Sequence, residues 1–371
     1  MKKTIFLLLS LSLVLIAQAQ DPEMLYKQAE KKFEKNDFAG AKADFTKVLG
    51  LKANYKEAYL MRGRARMSME DFYGAIGDLN QAIDLDSTFA DAYNFRGLAK
   101  YYLGDNESSI EDFNRAIQFN PEYTEAYTNR GFAFYDIEEL EAAYFDFSKA
   151  IELDGKDANS YFNRGVIRAE LEEYIGAIDD YSKSIQLDGN DADAYNFRGV
   201  AYFAVGKMEE ALADYNKSIS LSADDPIKYE NRALAKSSME DYKGALADYS
   251  KSIELYPDDP DIYNLRGVIK YNMEDYQGAK EDYDKALELD PENPIYYENR
   301  ALAKTDLEDL EGAVEDYSIS IELYPSDPDT YYMRAMVKLA LGNKYDGCLD
   351  LNTALELGSE DANAAIKKNC K

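Results

Sequence analysis

The chain has 371 residues, 46% of them apolar and 30% charged, which is the balance of a folded, soluble protein. Its 71 acidic and 42 basic side chains give a formal charge of −29, which disfavours nucleic acid as a partner because phosphates would be repelled. Histidine is absent, so the commonest general base and zinc ligand are missing, and we predict no enzymatic activity, no metal site and no cofactor.

The first segment of the chain has the pattern of a secretory signal peptide. Two lysines precede an apolar run over residues 5–16, and the small-x-small sequence Ala-Gln-Ala follows at 17–19. The apolar run is shorter than the ~20 residues that span a membrane. We therefore predict that residues 1–19 are a cleaved signal peptide of bacterial type. The mature chain would then have no membrane span and would be periplasmic or extracellular.

A 34-residue period runs through the rest of the chain. Tyrosine recurs at this interval, arginine follows each tyrosine by three residues, and glycine or alanine comes next. A second small residue, an aromatic or leucine, and often a closing proline recur later in each unit. The tyrosines are Tyr59, Tyr93, Tyr127, Tyr161, Tyr195, Tyr229, Tyr263, Tyr297 and Tyr331.

Each unit carries the signals of two helices. From Tyr242 to Leu255 the apolar side chains fall at the i, i+3, i+4, i+7 spacing of one helical face, and the other face is polar. At Asp225-Pro226 and its equivalents, the Asp or Asn can cap a helix whose first residue is proline. The sequence therefore predicts amphipathic helices that recur with the 34-residue period.

This pattern resembles the tetratricopeptide repeat, in which 34 residues form two antiparallel helices. The resemblance implies an all-α fold, an α-solenoid of about ten repeats wound into a right-handed superhelix. Tyrosine replaces the family's first tryptophan, and arginine replaces the leucine before the glycine. We predict a solenoid over residues 20–361 and a C-terminal capping helix over 362–371. The repeats are predicted to start near residues 22, 56, 90, 124, 158, 192, 226, 260, 294 and 328.

An aspartate follows each recurrent arginine by sixteen residues, on the predicted second helix. A ladder of arginines could bind an anionic ligand, but a carboxylate for every arginine indicates structural ion pairs instead. The predicted pairs include Arg96 with Asp112, Arg130 with Asp146, Arg232 with Asp248, and Arg300 with Asp316.

Two cysteines stand near the C-terminus, Cys348 and Cys370. In an oxidising compartment they can form a disulfide that fastens the capping helix to the last full repeat. The alternative is two unpaired, small apolar side chains, because spacing in sequence does not fix the distance between them.

In this family the inner face of the first helices holds partners. Acidic residues at the second position of most repeats exclude the carboxylate clamp of chaperone-binding members. Asparagines at the fifth and sixth positions resemble the ladder with which other members bind a peptide backbone, although local hydrogen bonding would explain them equally well. The candidate partner-binding residues are Asn94, Asn129, Asn163, Asn196, Asn231, Asn264 and Asn299 with the aromatic residues Tyr101, Tyr135, Phe203 and Tyr271.

We therefore predict a non-enzymatic scaffold that holds an extended peptide or protein partner in its concave groove. The alternative is a carbohydrate-binding solenoid of the cell envelope. The four aromatic side chains separate the two hypotheses. Flat exposed rings beside carboxylates would favour a sugar, whereas rings spaced along a continuous groove with the asparagines would favour a peptide.

Overall fold

The computed structural model describes residues 21–370, and every regular element in that range is an α-helix. The predicted all-α class is confirmed. The predicted signal peptide, residues 1–19, lies outside the described residues. Within them no helix is long and apolar enough to cross a membrane.

The chain forms two compact units, divided between Glu173 and Tyr174. The described part of the first unit contains nine helices. They are α1 (Pro22–Glu34), α2 (Phe38–Leu51), α3 (Lys56–Met67), α4 (Phe72–Leu85), α5 (Ala90–Tyr102), α6 (Asn106–Phe119), α7 (Thr124–Tyr135), α8 (Leu140–Leu153) and α9 (Ala158–Glu170).

The described part of the second unit contains twelve helices. They are α10 (Tyr174–Leu187), α11 (Ala192–Ala204), α12 (Met208–Leu221), α13 (Pro226–Ser238), α14 (Tyr242–Leu255), α15 (Pro260–Asn272), α16 (Tyr276–Leu289), α17 (Pro294–Asp306), α18 (Leu310–Leu323), α19 (Pro328–Ala340), α20 (Lys344–Glu356) and α21 (Glu360–Asn369).

Within each unit the helices pack in chain order, as a tetratricopeptide-type solenoid requires. An odd-numbered helix up to α19 is the first helix of a repeat, and the even-numbered helix after it is the second. Each second helix also packs against the first helix of the next repeat in its unit. Neighbouring first helices, such as α3 and α5 or α15 and α17, touch one another as well. The first helices therefore lie side by side.

Small residues allow the two helices of a repeat to approach closely. A Cβ atom added at Gly267 would lie 2.6 Å from Cε1 of Tyr283, and one added at Gly199 would lie 2.7 Å from Cε1 of Tyr215. Both tyrosines are almost completely buried. A larger residue at either glycine would push the helices apart, because the ring fills the space.

The helix starts at the Asp-Pro and Asn-Pro junctions follow the capping chemistry predicted from the sequence. Asp225 accepts a hydrogen bond from the amide of Ile227, and Pro226 occupies the first helical position of α13. At the start of α14, the Asp241 side chain accepts from the amide of Gly244 at 3.0 Å. These bonds satisfy amides that have no partner within the helix.

The last helix, α21, covers the apolar end of the second unit. Ala362 and Ala365 are buried against Ala335 and Leu351, in one cluster with the half-buried Cys370. Its bounds, Glu360–Asn369, lie close to the predicted capping segment 362–371. A disulfide joins Cys348 of α20 to Cys370, with 5.7 Å between the two Cα atoms.

We expect this disulfide to hold α21 against α20. Replacing both cysteines by serine should weaken the capping helix by about 3 kcal/mol, because the bond closes a loop of some twenty residues in the unfolded state. Hydrogen exchange should show faster exchange of the α21 amides and little change in α13 or α14. A reductant should have the same effect on the wild type and none on the double serine variant. Equal exchange of α21 in both proteins would contradict the expectation.

Candidate functional site

An arginine on the first helix joins three helices in most repeats. Arg232 of α13 donates from Nε and Nη2 to the two carboxylate oxygens of Asp248 on α14, at 2.9 and 2.6 Å. Its third nitrogen, Nη1, donates to Oδ1 of Asn216 on α12, at 2.7 Å. The guanidinium also lies 5.6 Å from the ring centroid of Tyr229. We call this arrangement the arginine clip.

The arginine clip recurs in both units. The same two-point bond is formed by Arg62 with Asp78, Arg96 with Asp112, Arg130 with Asp146, Arg198 with Asp214, Arg266 with Asp282, Arg300 with Asp316 and Arg334 with Asp350. All of these aspartates are buried. The arginines therefore serve the packing of the repeats, and their charges are already matched within the chain.

We did not predict the hydrogen bond from the arginine Nη1 to the preceding repeat, although a pattern in the sequence indicates it. Sixteen residues before each arginine stands a side chain with an oxygen acceptor. The acceptors are Thr46, Asn80, Asn114, Ser148, Ser182, Asn216, Ser250, Asp284 and Ser318.

A second cation supports the buried aspartate in several repeats. It stands four residues after the arginine and lies 2.7 or 2.8 Å from the carboxylate. These lysines are Lys100, Lys236, Lys270, Lys304 and Lys338. In the fourth repeat Phe134 takes this place. Burial there raises the pKa of Asp146, although the hydrogen bonds from Arg130 act in the opposite direction.

The predicted asparagines bond to one another between neighbouring repeats. Their amide groups form three pairs, at distances of 3.0, 3.2 and 2.8 Å. In these pairs Asn129 donates to Asn94, Asn231 to Asn196, and Asn299 to Asn264. The sixth-position side-chain amide therefore donates one N–H within the chain. Its second N–H and its carbonyl oxygen take no part in these pairs.

Burial separates the asparagines into two groups. Asn94 and Asn196, which we predicted to face a partner, are buried and do not reach the surface. Asn94 also donates to the Tyr123 hydroxyl at 3.2 Å. Asn129 and Asn163 are partly exposed, and Asn163 donates to the carbonyl oxygen of Asn159 at 2.8 Å. Only the partly exposed asparagines can contact a partner directly.

The predicted aromatic residues also connect neighbouring repeats. The hydroxyl of Tyr135 donates to Glu170, and that of Tyr271 donates to Asp306. The bond to Glu170, together with burial, raises the pKa of Tyr135 to about 12. Both rings are half-buried, so they are not flat exposed platforms of the kind that a sugar would need.

The two remaining aromatic residues follow the same pattern. Burial and a hydrogen bond to Asp136 raise the pKa of Tyr101 to about 12. Phe203 is partly buried and packs against the core cluster that contains Tyr215. The observations on all four side chains therefore give no support to the carbohydrate hypothesis.

One cavity brings predicted partner-binding residues together. It has a volume of about 850 Å³ and lies between α7 and α9 in the first unit. Asn129 and Asn163 line it from opposite sides, and Phe132 contributes apolar surface. A smaller cavity of about 190 Å³ shares Phe132 and Asn163 and continues to Tyr135 and Val166. We call this surface the α7–α9 groove.

Acidic side chains surround the α7–α9 groove. Glu125 of α7 lines it, as do Asp154 and Asp157 from the loop before α9. Lys156 is the one basic residue among the described residues that line the larger cavity. The groove therefore attracts positively charged groups.

The first helices of the second unit expose apolar side chains at the second, sixth and ninth positions, which share one helical face. Ile227 is 56% exposed, Ile295 53% and Leu234 45%. Carboxylates at the second position of two other first helices in this unit are engaged within the chain. Asp193 lies 3.1 Å from Nζ of Lys228, and Asp261 accepts a hydrogen bond from a neighbouring tyrosine at 2.5 Å.

Among residues 21–370 there is no cluster of three or more histidine, cysteine or acidic side chains placed to hold a metal ion.

Family profiles match three stretches of the chain. A profile described as TPR repeat matches residues 97–138, 167–206 and 237–274. Two profiles described as tetratricopeptide repeat match residues 192–225 and 260–293 in one case and residues 124–157 in the other. No curated protein sequence matches the chain.

Solved structures of similar fold include several bacterial proteins. PilF of Pseudomonas aeruginosa is 17% identical, covers 54% of this chain and 92% of its own, and has a TM-score of 0.50. A tetratricopeptide repeat protein from Parabacteroides merdae is 20% identical, covers 68% of this chain and 99% of its own, and has a TM-score of 0.49. MamA is 26% identical, covers 43% and 93%, and has a TM-score of 0.42.

The arginine clip gives a prediction for stability. Replacing Arg232 by methionine should lower the free energy of unfolding by about 3 kcal/mol, because a buried carboxylate loses its main partner. Removing the charge of Lys251, which forms an exposed ion pair with Glu254, should lower the free energy of unfolding by at most about 0.5 kcal/mol. Urea unfolding of the two variants measures the difference. Equal midpoints would show that the clip adds no more than a surface pair.

Proposed function

Because the chain belongs to the tetratricopeptide repeat family, we propose that it is a non-enzymatic scaffold that holds an extended segment of a partner protein in the α7–α9 groove. The family fold serves protein–protein interaction in general. The observation that carries the proposal is the convergence of Asn129, Asn163 and Phe132 on one cavity. Amides and an aromatic ring in one groove supply both kinds of contact that a peptide needs.

The asparagines can bind a peptide backbone without reading its sequence. Each amide offers donors and an acceptor, and a peptide backbone offers the complementary groups at every residue. Asn163 has one donor engaged with Asn159, and Asn129 has one engaged with Asn94. Fixing an amide in this way lowers the entropy that is lost when the remaining groups bind a partner.

The charge around the groove indicates what the partner carries. Glu125, Asp154 and Asp157 line the cavity together with one basic residue, Lys156. A segment with lysine or arginine beside apolar residues would match both the carboxylates and the apolar surface of Phe132. We therefore propose a basic, partly apolar segment as the occupant.

A photo-crosslinking amino acid tests this proposal. Placed at position 132 in the α7–α9 groove, it should form an adduct with a partner from the producing cell, and mass spectrometry should map the adduct to a basic, extended segment. Placed at position 145, where Phe145 of α8 is 62% exposed outside the groove, it should give no such adduct. Alanine at Asn129 and Asn163 should reduce the adduct at 132. Equal adducts at both positions would contradict the proposal.

We also propose that the chain acts outside the cytoplasm. The support is the lysine pair, the apolar run and the small-x-small site in residues 1–19. N-terminal sequencing of protein recovered from the periplasm or medium of a bacterial host should begin at Gln20. A product that stays in the cytoplasm with its first twenty residues intact would overturn this proposal.

A further inference from the structure

A second cavity in the first unit contains an arginine that differs from those of the arginine clips. Arg64 stands at the ninth position of α3, where α5 has Leu98 and α9 has Val166. The cavity has a volume of about 510 Å³. Its lining comes from three successive first helices, with Phe33 from α1, Arg64 from α3, and Phe95 and Leu98 from α5.

The guanidinium of Arg64 lies between two aromatic rings. It is 5.2 Å from the ring centroid of Phe33 and 4.7 Å from that of Phe95. Its Nη1 atom also contacts the sulfur of Met61 at 3.4 Å. These contacts hold the guanidinium in place, and a guanidinium over aromatic rings can still use its edge N–H groups for hydrogen bonds.

Arg64 forms no ion pair with a described residue, whereas the arginines of the clips are each bonded to an aspartate. Glu70 lines the same cavity, but it is exposed and is not bonded to Arg64. A partly buried guanidinium without a counter-ion gains more from a carboxylate than an exposed one, because solvent screens the attraction less.

We propose that this cavity, which we call the Arg64 pocket, is a subsite for an aspartate or glutamate side chain flanked by apolar or aromatic residues on the partner segment. The carboxylate would accept two parallel hydrogen bonds from the guanidinium, and the flanking side chains would pack on Leu98 and on Phe72, which stacks on Tyr102 at 5.4 Å. The lining comes from the first helices of three successive repeats, α1, α3 and α5. The bound segment would therefore run across all three repeats. This inference rests on the proposed function, since it assigns a second site, of opposite charge, for a segment of a partner protein.

Peptides displayed on phage test the proposal, because the displayed peptides have no free C-terminus and can offer only side-chain carboxylates. A random heptapeptide library is selected on the full chain and, in parallel, on Arg64→Met, Arg64→Lys and Arg115→Gln. Arg115 is an exposed arginine whose one hydrogen-bond partner among residues 21–370 is Gln118, at 2.9 Å, so its variant is the matched control. The wild type and the control should enrich peptides with an acidic residue beside an aromatic residue or leucine, and Arg64→Met should not.

The most enriched peptide is then synthesised with a blocked C-terminus and titrated by fluorescence anisotropy. Its affinity should fall at least about tenfold for Arg64→Met, because a charge-assisted bidentate bond is lost. Arg64→Lys, which keeps the charge without the planar stacking, should lie between the two. A peptide with Gln in place of its acidic residue should lose affinity for the wild type by a similar factor and show no difference between wild type and Arg64→Met.

Three results would overturn the proposal: no enrichment of acidic peptides on the wild type, the same enrichment on Arg64→Met, or equal binding of the Gln peptide. Alanine at both Asn129 and Asn163 separates this inference from the proposed function. If the acidic peptide binds that variant normally but not Arg64→Met, the Arg64 pocket stands regardless of the α7–α9 groove. If basic peptides are enriched instead and are lost in the asparagine variant, the groove stands and the pocket proposal fails.

Discussion

The arginine clip is the interaction on which the rest of this structure depends. Each guanidinium forms two bonds to an aspartate of its own repeat and a third to the second helix of the repeat before it, as Arg232 does with Asp248 and Asn216. A buried carboxylate without a partner is strongly destabilising. The arginine therefore helps to hold the second helix against the first helix of the same repeat. The same guanidinium also fixes the position of its own repeat relative to the repeat before it.

This arrangement divides the polar residues into two classes. The clip, the paired asparagines and the hydroxyls of Tyr135 and Tyr271 are engaged between or within repeats. Some polar side chains also line cavities, as Asn163 does in the α7–α9 groove and Arg64 does in its own pocket. A protein with a formal charge of −29 can therefore present local surfaces of different character. The α7–α9 groove is lined by carboxylates, and the Arg64 pocket contains a cation.

The 34-residue period predicted the helices and their order, because helix periodicity and Asp-Pro caps are local signals. The sixteen-residue spacing predicted the pairing of Arg232 with Asp248, because the chain reverses once between the two helices of a repeat and brings these positions together. The sequence could not show that Asn94 is buried or that it bonds to Asn129, because these facts depend on the offset between neighbouring helices. The 34-residue period does not indicate Arg64 either. A repeated pattern identifies the residues that recur. Arg64 instead replaces the apolar residue that stands at the ninth position of α5 and α9.

A double-mutant cycle between Arg232 and Asn216 tests the central claim, that one side chain couples neighbouring repeats. The variants are Arg232→Met, Asn216→Ala and the combination, and urea unfolding gives the free energy of each. The coupling energy should be about 1 kcal/mol, because the bond between Nη1 and Oδ1 exists only when both residues are present. Additive effects, with a coupling energy near zero, would show that the arginine stabilises its own repeat alone.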